Sequence, residues 1–320
     1  MTTATWTHNF ANANGIRIHY VEQGTGFPVV MLHGFPELWY SWRHQIPALA
    51  DAGYRAIAPD VRGYGQTGAP QPIEAYSMRT TTADIVGLLD ALGEEQAVVV
   101  GHDWGAPIAW HCALLYPGRF KSVAALSVPY TGRPPMAPTK LMDMMFAGKF
   151  FYILYFQEPG VAEAELEADV RRSHRLFIHY ASGDAPGGLA LTQRPRDSKL
   201  FDGVEDPGKL PAWLREEDLD YYTKEIERTG FRGGLNRYRN MDRDWEELAE
   251  LAGAKVQQPA LFIGGEKDPV LMFARMDAMK ELVPDLRGTE IIPGCGHWIQ
   301  QEKPEEVNRS LVGFVREVAP

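Results

Sequence analysis

The residues with the clearest capacity for chemistry lie in the segment 101–105, Gly-His-Asp-Trp-Gly. A β-branched run precedes it and predicts a buried strand, and an alanine-rich run follows it and predicts a helix. Glycines two positions before and after Asp103 permit the sharp turn of the nucleophile-elbow pattern G-x-S-x-G, with aspartate in place of serine. A carboxylate needs no base to become a nucleophile, and its attack on an sp³ carbon gives an alkyl ester. The alternative is that Asp103 only caps the helix.

Two more candidates follow the last apolar runs of the chain. Asp268 comes shortly after the run 260–265, and His297 comes shortly after 290–293 in a glycine-rich loop. A histidine can deprotonate water, while a carboxylate orients the imidazole and stabilises its cation. Each residue alone could be an ordinary loop residue, and Glu266 competes with Asp268 as the acid. The order nucleophile, acid, histidine at successive strand ends predicts a catalytic triad.

Alternating strands and helices must position these residues. The segments 16–21, 29–32 and 123–127 are predicted strands, and the segment 77–92 is a predicted helix that ends at Gly93. Alternation of this kind predicts an α/β fold with a parallel sheet and helices on its faces. The chemistry-bearing turns are then expected at the carboxyl ends of the strands.

Two loops at strand ends carry further turn-forming and charged residues. The segment 33–36, His-Gly-Phe-Pro, follows a central strand, and its Phe35–Pro36 bond is a candidate for a cis peptide. A turn of this kind can point a backbone N–H group into a cleft. Asp60 and Arg62 follow another strand and are predicted to brace their loop as an ion pair.

The character of the sequence changes after the strand 123–127. Residues 131–245 lose the strand rhythm and gain proline, methionine, aromatic and charged residues, with predicted helices over 162–172 and 214–229. We expect this stretch to be a helical insertion over the carboxyl ends of the strands, where an open α/β sheet binds its ligand. The predicted segments, in chain order, are a first core part over 1–131, a helical lid over 132–246 and a second core part over 247–320.

The bulk composition narrows the classes of partner. The formal net charge is −10 and no long cluster of lysine and arginine occurs, which argues against nucleic acid and against an anionic membrane surface. The N-terminus lacks the pattern of a secretory signal and no run approaches the roughly 18 apolar residues of a membrane span, so we expect a cytoplasmic protein. The two cysteines, Cys112 and Cys295, show no disulfide or metal-binding spacing, and we expect no metal and no cofactor. The composition leaves a homo-oligomer open.

On these motifs the chain resembles an epoxide hydrolase of the α/β-hydrolase superfamily, of the soluble type, over nearly its whole length. The matching features are the turn 33–36, the elbow 101–105, Asp268, His297 and two lid segments, 152–160 and 236–241. The resemblance implies an α/β-hydrolase fold, a mostly parallel sheet flanked by helices with an inserted helical lid or cap domain. It also implies that Tyr152 and Tyr238 donate hydrogen bonds to the epoxide oxygen. On composition alone other tyrosines compete for this role, namely Tyr155, Tyr180, Tyr221 and Tyr222.

The resemblance predicts hydrolysis of an epoxide to a vicinal diol in two steps. Asp103 attacks an epoxide carbon while Tyr152 and Tyr238 protonate the departing oxygen, which gives a hydroxyalkyl ester. His297, oriented by Asp268, then activates water for attack on the ester carbonyl carbon. We expect the reactants to be water and a small hydrophobic epoxide.

Three aromatic residues complete the predicted site. The backbone N–H groups of Phe35 and Trp104 are expected to form the oxyanion hole of the second step. The side chains of Phe35, Trp104 and Trp298 are expected to make the substrate pocket apolar, which suits a hydrophobic epoxide.

Two rival functions are left open by the sequence. A haloalkane or haloacid dehalogenase also places aspartate at the elbow, often followed by tryptophan, but needs halide-binding N–H donors in place of proton-donating tyrosines. Trp104 suits either chemistry, so the choice depends on Tyr152 and Tyr238. A non-catalytic ligand-binding protein of the same fold is the second rival, and it is disfavoured because the polar residues of both steps are present. A serine esterase is excluded because no serine occupies the elbow.

Overall fold

The computed structural model describes residues 6–185 and 194–319. Its strands form one eight-stranded sheet with the order β1-β2-β4-β3-β5-β6-β7-β8. The strands are β1 (Thr7–Ala13), β2 (Ile16–Gln23), β3 (Pro28–Leu32), β4 (Arg55–Pro59), β5 (Ala97–His102), β6 (Phe120–Leu126), β7 (Ala260–Gly265) and β8 (Leu286–Ile292). Strands β3 to β8 pair in parallel, whereas β2 pairs antiparallel with both β1 and β4. The sheet is therefore mostly parallel, as predicted.

Helices accompany the sheet in two groups. The α-helices of the described residues are α1 (Gln45–Asp51), α2 (Met78–Leu92), α3 (Gly105–Leu115), α4 (Pro138–Met145), α5 (Tyr152–Tyr155), α6 (Val161–Leu166), α7 (Val170–Ala181), α8 (Glu216–Thr229), α9 (Arg232–Arg239), α10 (Met241–Glu247), α11 (Met276–Leu282), α12 (Ile299–Glu302) and α13 (Pro304–Val318). Helices α4 to α10 lie between β6 and β7 in the chain, and the others alternate with or follow the strands. None of the described helices is both long and apolar enough to cross a membrane.

Apolar side chains form a separate core on each face of the sheet. In β3, Val30 and Leu32 pack with residues of α2 and α3, whereas Val29 and Met31 pack with residues of α1 and α13. Alternate residues of a strand point to opposite faces, so a strand covered on both faces needs a continuous apolar run. This burial fixes the strand ends from which the loops of the site emerge.

Most core elements lie close to their predicted bounds. Ser77 caps α2 by accepting a hydrogen bond from the Thr80 backbone N–H, and Gly93 ends this helix with a φ of +71°. Strand β8 begins at Leu286, earlier than the predicted start at 290. The reason is that β8 alternates between half-buried and exposed side chains, so it lacks the apolar run by which the other strands were predicted.

The predicted single helix over 162–172 is wrong. Helix α6 ends at Leu166, a short 3-10 turn covers Glu167–Asp169, and α7 begins at Val170. The Asp169 side chain accepts a hydrogen bond from the Arg172 backbone N–H, which caps the new helix. The acidic segment 162–172 therefore contains a helix boundary that its composition does not predict.

The predicted ion pair between Asp60 and Arg62 is also wrong. Asp60 contacts His19 at 2.7 Å, and Arg62 donates to Asp84 of α2 at 2.7 Å. Both residues still connect their loop to neighbouring elements, but each does so through a partner that is distant in the sequence.

Candidate active site

The turn between β5 and α3 places Asp103 at the carboxyl edge of the sheet. Strand β5 ends at His102 and α3 begins at Gly105, so the chain reverses within two residues. Asp103 has a φ of +47°, in the left-handed region that residues other than glycine rarely occupy. A Cβ atom on Gly101 would lie 2.0 Å from the Gly105 carbonyl oxygen, and one on Gly105 would lie 2.0 Å from that of Leu32. The two glycines of the pattern are therefore required by the close approach of the backbone.

The Asp103 carboxylate lies between the turn 33–36 and His297. Its Oδ1 accepts a hydrogen bond from the Phe35 backbone N–H at 2.8 Å, and its Oδ2 is 3.4 Å from His297 Nε2. The Phe35–Pro36 peptide bond is cis, as predicted. Burial alone would raise the pKa of Asp103, but the hydrogen bond and the positive charge of His297 outweigh burial and lower this pKa. The carboxylate is thus held in its ionised form.

His297 lies between two carboxylates. Its Nδ1 is 3.0 Å from Asp268 Oδ1, and its Nε2 faces Asp103. Burial would lower the pKa of His297, but the negative charge of Asp268 and the interactions with Asp103 raise it well above its ordinary value. Glu266, the competing acid, is exposed and accepts a hydrogen bond from the Gly294 backbone N–H at 2.8 Å. The structure therefore brings Asp268, and not Glu266, to the imidazole.

The loop that carries His297 is bound by the chain at the end of α7. The His297 backbone N–H donates to the Ala181 carbonyl oxygen at 2.7 Å. The Glu302 carboxylate accepts hydrogen bonds from the backbone N–H groups of Gly183, at 2.9 Å, and Gly296, at 3.0 Å. A Cβ atom on Gly296 would lie 2.2 Å from the Gly183 nitrogen, so the two backbones are in direct contact. The position of the imidazole thus depends on residues of the helical insertion.

Tyr152 and Tyr238 come from different helices of the insertion and lie close to each other. Tyr152 begins α5 and Tyr238 lies in α9, and their ring centroids are 6.2 Å apart. The Tyr238 ring also packs edge-on against Trp104, with centroids 5.0 Å apart. Burial and the negative charge of Asp103 raise the pKa of both phenols, and a side-chain hydrogen bond from Trp104 opposes this for Tyr238 to a smaller extent. Both hydroxyl groups are therefore protonated at neutral pH.

The competing tyrosines of the insertion have hydroxyl partners elsewhere. These partners are Glu165 for Tyr155, the Glu205 carbonyl for Tyr180, Trp39 for Tyr221 and Gln301 for Tyr222. A buried phenol normally satisfies its hydroxyl group with such a contact, so these four fit a packing role. Tyr152 and Tyr238 differ from them because the charge of Asp103 acts on both.

The three predicted pocket residues belong to two apolar clusters. Phe35 and Trp104 pack in an aromatic cluster of the insertion with Tyr238, whose ring centroid is 5.5 Å from that of Phe35. Trp298 packs in a separate cluster, and its indole N–H donates to the Ile178 carbonyl at 2.9 Å. The Trp298 ring is edge-on to that of His297, with centroids 4.9 Å apart. Trp298 therefore contacts the imidazole and lies outside the cluster of Phe35 and Trp104.

A cavity of about 210 Å³ adjoins Trp104. Its lining is mostly apolar and includes Met78, Trp110, Val128 and Trp245. The cavity lining does not include Asp103, Tyr152, Tyr238 or His297, so this space lies beside the elbow and not at the carboxylate. No group of three or more histidine, cysteine, aspartate or glutamate side chains within 6–185 and 194–319 is placed to hold a metal ion.

Polar residues that the sequence analysis did not single out adjoin the site. The Ser127 hydroxyl, just after β6, contacts both Asp268 and His297. Glu37 and His102 form a buried pair at 2.7 Å, and His102 Nε2 is 2.7 Å from the His297 carbonyl oxygen. The sequence offers a positional signal for each of them. Glu37 adjoins the turn 33–36, His102 lies within the elbow 101–105, and Ser127 ends the predicted strand 123–127.

Known proteins resemble this chain along almost its entire length. A family model described as alpha/beta hydrolase fold matches residues 28–304. The chain is 50% identical over 314 residues to epoxide hydrolase A of Mycobacterium tuberculosis, with 97% of each chain covered. The crystal structure of epoxide hydrolase A from Mycobacterium thermoresistibile superposes with a TM-score of 0.93 at 48% identity, over 98% of each chain. An epoxide hydrolase from an endophytic Streptomyces superposes with a TM-score of 0.94 at 49% identity, over 98% of this chain and 96% of that one.

Proposed function

The chain belongs to the epoxide hydrolases of the α/β-hydrolase family, and we propose that it converts epoxides to vicinal diols through a covalent ester on Asp103. The observation that carries the proposal is the position of the Asp103 carboxylate, 2.8 Å from the Phe35 backbone nitrogen and 3.4 Å from His297 Nε2. The first neighbour can stabilise an oxyanion and the second can activate water. An ester formed on this carboxylate therefore has both groups that its hydrolysis needs.

In the first step Asp103 Oδ2 attacks an epoxide carbon, which leaves the hydrogen bond from the Phe35 N–H to Oδ1 in place. The ester C–O bond forms as the ring C–O bond breaks, and the ring oxygen takes a proton from Tyr152 or Tyr238. The lowered pKa of Asp103 keeps the nucleophile ionised. The raised pKa values of the two phenols keep them protonated until the alkoxide develops.

Ester formation then changes the protonation of His297. The negative charge of Asp103 and the hydrogen bond to it both help to raise the pKa of His297 in the free enzyme. Esterification removes this charge, so the pKa of His297 falls. The imidazolium then gives a proton to the phenolate that the first step left, and this restores the tyrosine. The imidazole Nε2, which faces Asp103, is then available as a base.

In the second step His297 takes a proton from water and the hydroxide oxygen adds to the ester carbonyl carbon. The Asp268 carboxylate, 3.0 Å from Nδ1, stabilises the imidazolium that forms. The ester C–O bond breaks, and the new carboxylic acid gives its proton to the departing diol oxygen. Asp103 is restored as a carboxylate, so epoxide and water are fully accounted for in the diol.

We propose that the backbone N–H groups of Phe35 and Trp104 stabilise the charge that develops on Oδ1 in the second step. The Phe35 N–H is already bonded to this oxygen. The Trp104 N–H directly precedes α3, where N–H groups have no acceptor within the helix. A donor of this kind contributes on the order of 10²- to 10³-fold to the rate of such a step.

We propose further that residues 132–246 form a lid on a core made of 1–131 and 247–320. Phe35 of the core contacts four aromatic rings of this segment, namely Phe156, Phe177, Phe231 and Tyr238. Such an apolar enclosure favours hydrophobic epoxides, because removal of apolar surface from water drives their binding.

Dehalogenation is not favoured by the same contacts. A departing halide needs N–H donors that bind it as an anion. Two protonated phenols suit an alkoxide leaving group instead, because an alkoxide takes up a proton and a halide does not.

The test measures diol formation from a panel of aryl and alkyl epoxides, with halide release from matched chloroalkanes as the comparison. We expect diol and no halide from the wild-type enzyme. We also expect the His297→Gln variant, mixed with epoxide, to gain the mass of one substrate molecule, because its ester is not hydrolysed. Halide release without diol, or a variant that never gains this mass, would contradict the proposal.

A further inference from the structure

The Ser127 hydroxyl joins the two residues that act in the hydrolysis step. Ser127 directly follows β6 and is fully buried. Its hydroxyl donates a hydrogen bond to an Asp268 carboxylate oxygen and lies 2.9 Å from His297 Nδ1. A hydroxyl group can donate one hydrogen bond while it accepts another. It therefore fits between a carboxylate, which only accepts, and an Nδ1–H group, which donates.

The backbone at Ser127 is held in an uncommon conformation. Its φ is +72°, and only two other described residues besides glycines have a positive φ, Asn14 and Asp103. The Val128 N–H donates to the Leu126 carbonyl at 2.9 Å and closes a γ-turn around Ser127. A γ-turn with positive φ at its centre is rare and strained.

Strain of this kind persists where the surroundings impose it, and it is concentrated at functional sites. Asn14 lies in the short turn between β1 and β2, where asparagine is favoured, and Asp103 is the elbow residue. Serine has no comparable preference for this conformation. Glycine would form this turn without strain, so the presence of serine indicates that its hydroxyl group has a function.

We propose that Ser127 is a positioning residue for hydrolysis of the ester on Asp103. It holds one oxygen of Asp268 and shares the Nδ1–H proton of His297, so that this proton stays on Nδ1 and the lone pair of Nε2 faces the ester. The inference rests on the proposed function, because it assigns Ser127 to the second of its two steps.

The two steps should depend on Ser127 to different extents. Attack by Asp103 on the epoxide needs no transfer of a proton to His297. Hydrolysis needs a neutral imidazole in one tautomer, which then takes a proton and becomes a cation next to Asp268. Removal of the hydroxyl should therefore slow hydrolysis and leave the formation of the ester unchanged.

The experiment compares Ser127→Gly and Ser127→Ala with the wild-type enzyme. Glycine adopts a φ of +72° without strain, so Ser127→Gly removes the hydroxyl and keeps the turn. Ser122→Ala is the matched control, because Ser122 is a buried serine of β6 whose hydroxyl has no hydrogen-bond partner in the described structure. Rapid mixing with excess epoxide, acid quenching and intact-mass measurement give the rates of ester formation and of ester hydrolysis.

We expect ester hydrolysis to slow by about 10- to 100-fold in both Ser127 variants, the usual effect of losing a hydrogen bond to a charged group. The ester then accumulates, so kcat and KM fall together and kcat/KM stays within about twofold of wild type. Ser122→Ala should keep both rates. Ester hydrolysis at the wild-type rate in Ser127→Gly would overturn the assignment of Ser127 alone. Absence of an ester in His297→Gln would overturn the proposed function, and the role of Ser127 with it.

Discussion

The core and the helical insertion hold their site residues in different ways. Asp103 is held by the backbone, at a φ of +47° between two glycines that admit no Cβ atom. Tyr152 and Tyr238 are held by side-chain packing, and both rings contact Phe156, with centroids 5.6 and 5.1 Å apart. Backbone geometry of the first kind has little room for partial adjustment, whereas packed rings can shift by small amounts. The core should therefore respond to substitution abruptly and the insertion gradually.

The largest expected effect distinguishes two residues of the core. Asp103→Asn and His297→Gln should each lower diol turnover on the order of 10⁴-fold or more, because each removes a group without which one step has no reactant. The two variants should differ in whether they form the ester. His297→Gln should gain the mass of one epoxide molecule and Asp103→Asn should not, as measured by intact-mass spectrometry. Equal mass gain in both variants would show that another residue is the nucleophile.

A smaller and graded effect is expected in the insertion. Tyr152→Phe and Tyr238→Phe should each slow ester formation about tenfold, and the double variant about 10³-fold, because the remaining phenol can still protonate the alkoxide in each single variant. Single-turnover ester formation is the measurement. Tyr155→Phe is the control, since its hydroxyl donates to Glu165 and should leave the rate unchanged. A single variant as slow as the double one would mean that the two phenols act as one rigid unit, and the contrast with the core would fail.

A third prediction concerns the glycines of the elbow. Gly101→Ala places a Cβ atom 2.0 Å from the Gly105 carbonyl oxygen, so we expect the free energy of unfolding to fall by about 3 kcal/mol. Gly313 lies in α13 with no atom within 4 Å of an added Cβ, and Gly313→Ala should instead stabilise by about 0.5–1 kcal/mol. Urea denaturation measures both. A Gly101→Ala variant as stable as wild type would show that the elbow backbone can adjust, contrary to the comparison.

The smallest expected effect is a change in the titration of His297. Asp103→Asn removes a charge and a hydrogen bond that raise the pKa of His297, so histidine NMR signals should show this residue titrating at a lower pH than in wild type. The raised pKa also means that protonated His297 stabilises the fold fully below its ordinary value of 6.5, and that this contribution is lost as the pH rises through the raised value. The stability difference between wild type and Asp103→Asn should therefore narrow at high pH. Glu266→Gln, which alters an exposed carboxylate, should leave the titration unchanged.

The grouping of Asp103, Asp268 and His297 could be predicted because each follows an apolar run at a strand end. Parallel strands bring their carboxyl ends to one edge of the sheet, so such turns meet even when the chain between them is long. The elbow could be recognised from the spacing of its glycines alone. The backbone at 101 and 105 has no room for a side chain, so glycine is required at both positions. The same holds for α2, whose start at Ser77 and end at Gly93 are local signals.

Partners of buried polar groups could not be predicted in this way. Arg62 pairs with Asp84 rather than with its near neighbour, and the Ser127 hydroxyl meets Asp268, 141 residues further along the chain. Trp298 packs in a different cluster from Phe35, and its indole N–H donates to a carbonyl of α7. These contacts depend on how the helices and strands pack against each other, and neither residue type nor periodicity predicts that packing.

The contact between the end of α7 and the histidine loop sets a rule for building chimeric enzymes. Recombination that exchanges the helical segment for that of another family member also replaces Ala181 and Gly183, which bind the backbone of His297 and the Glu302 carboxylate. A crossover point placed after Gly183 keeps these contacts with the recipient protein, whereas one placed before α7 imports them from the donor. Only the first design lets part of the helical insertion be varied independently of the placement of His297.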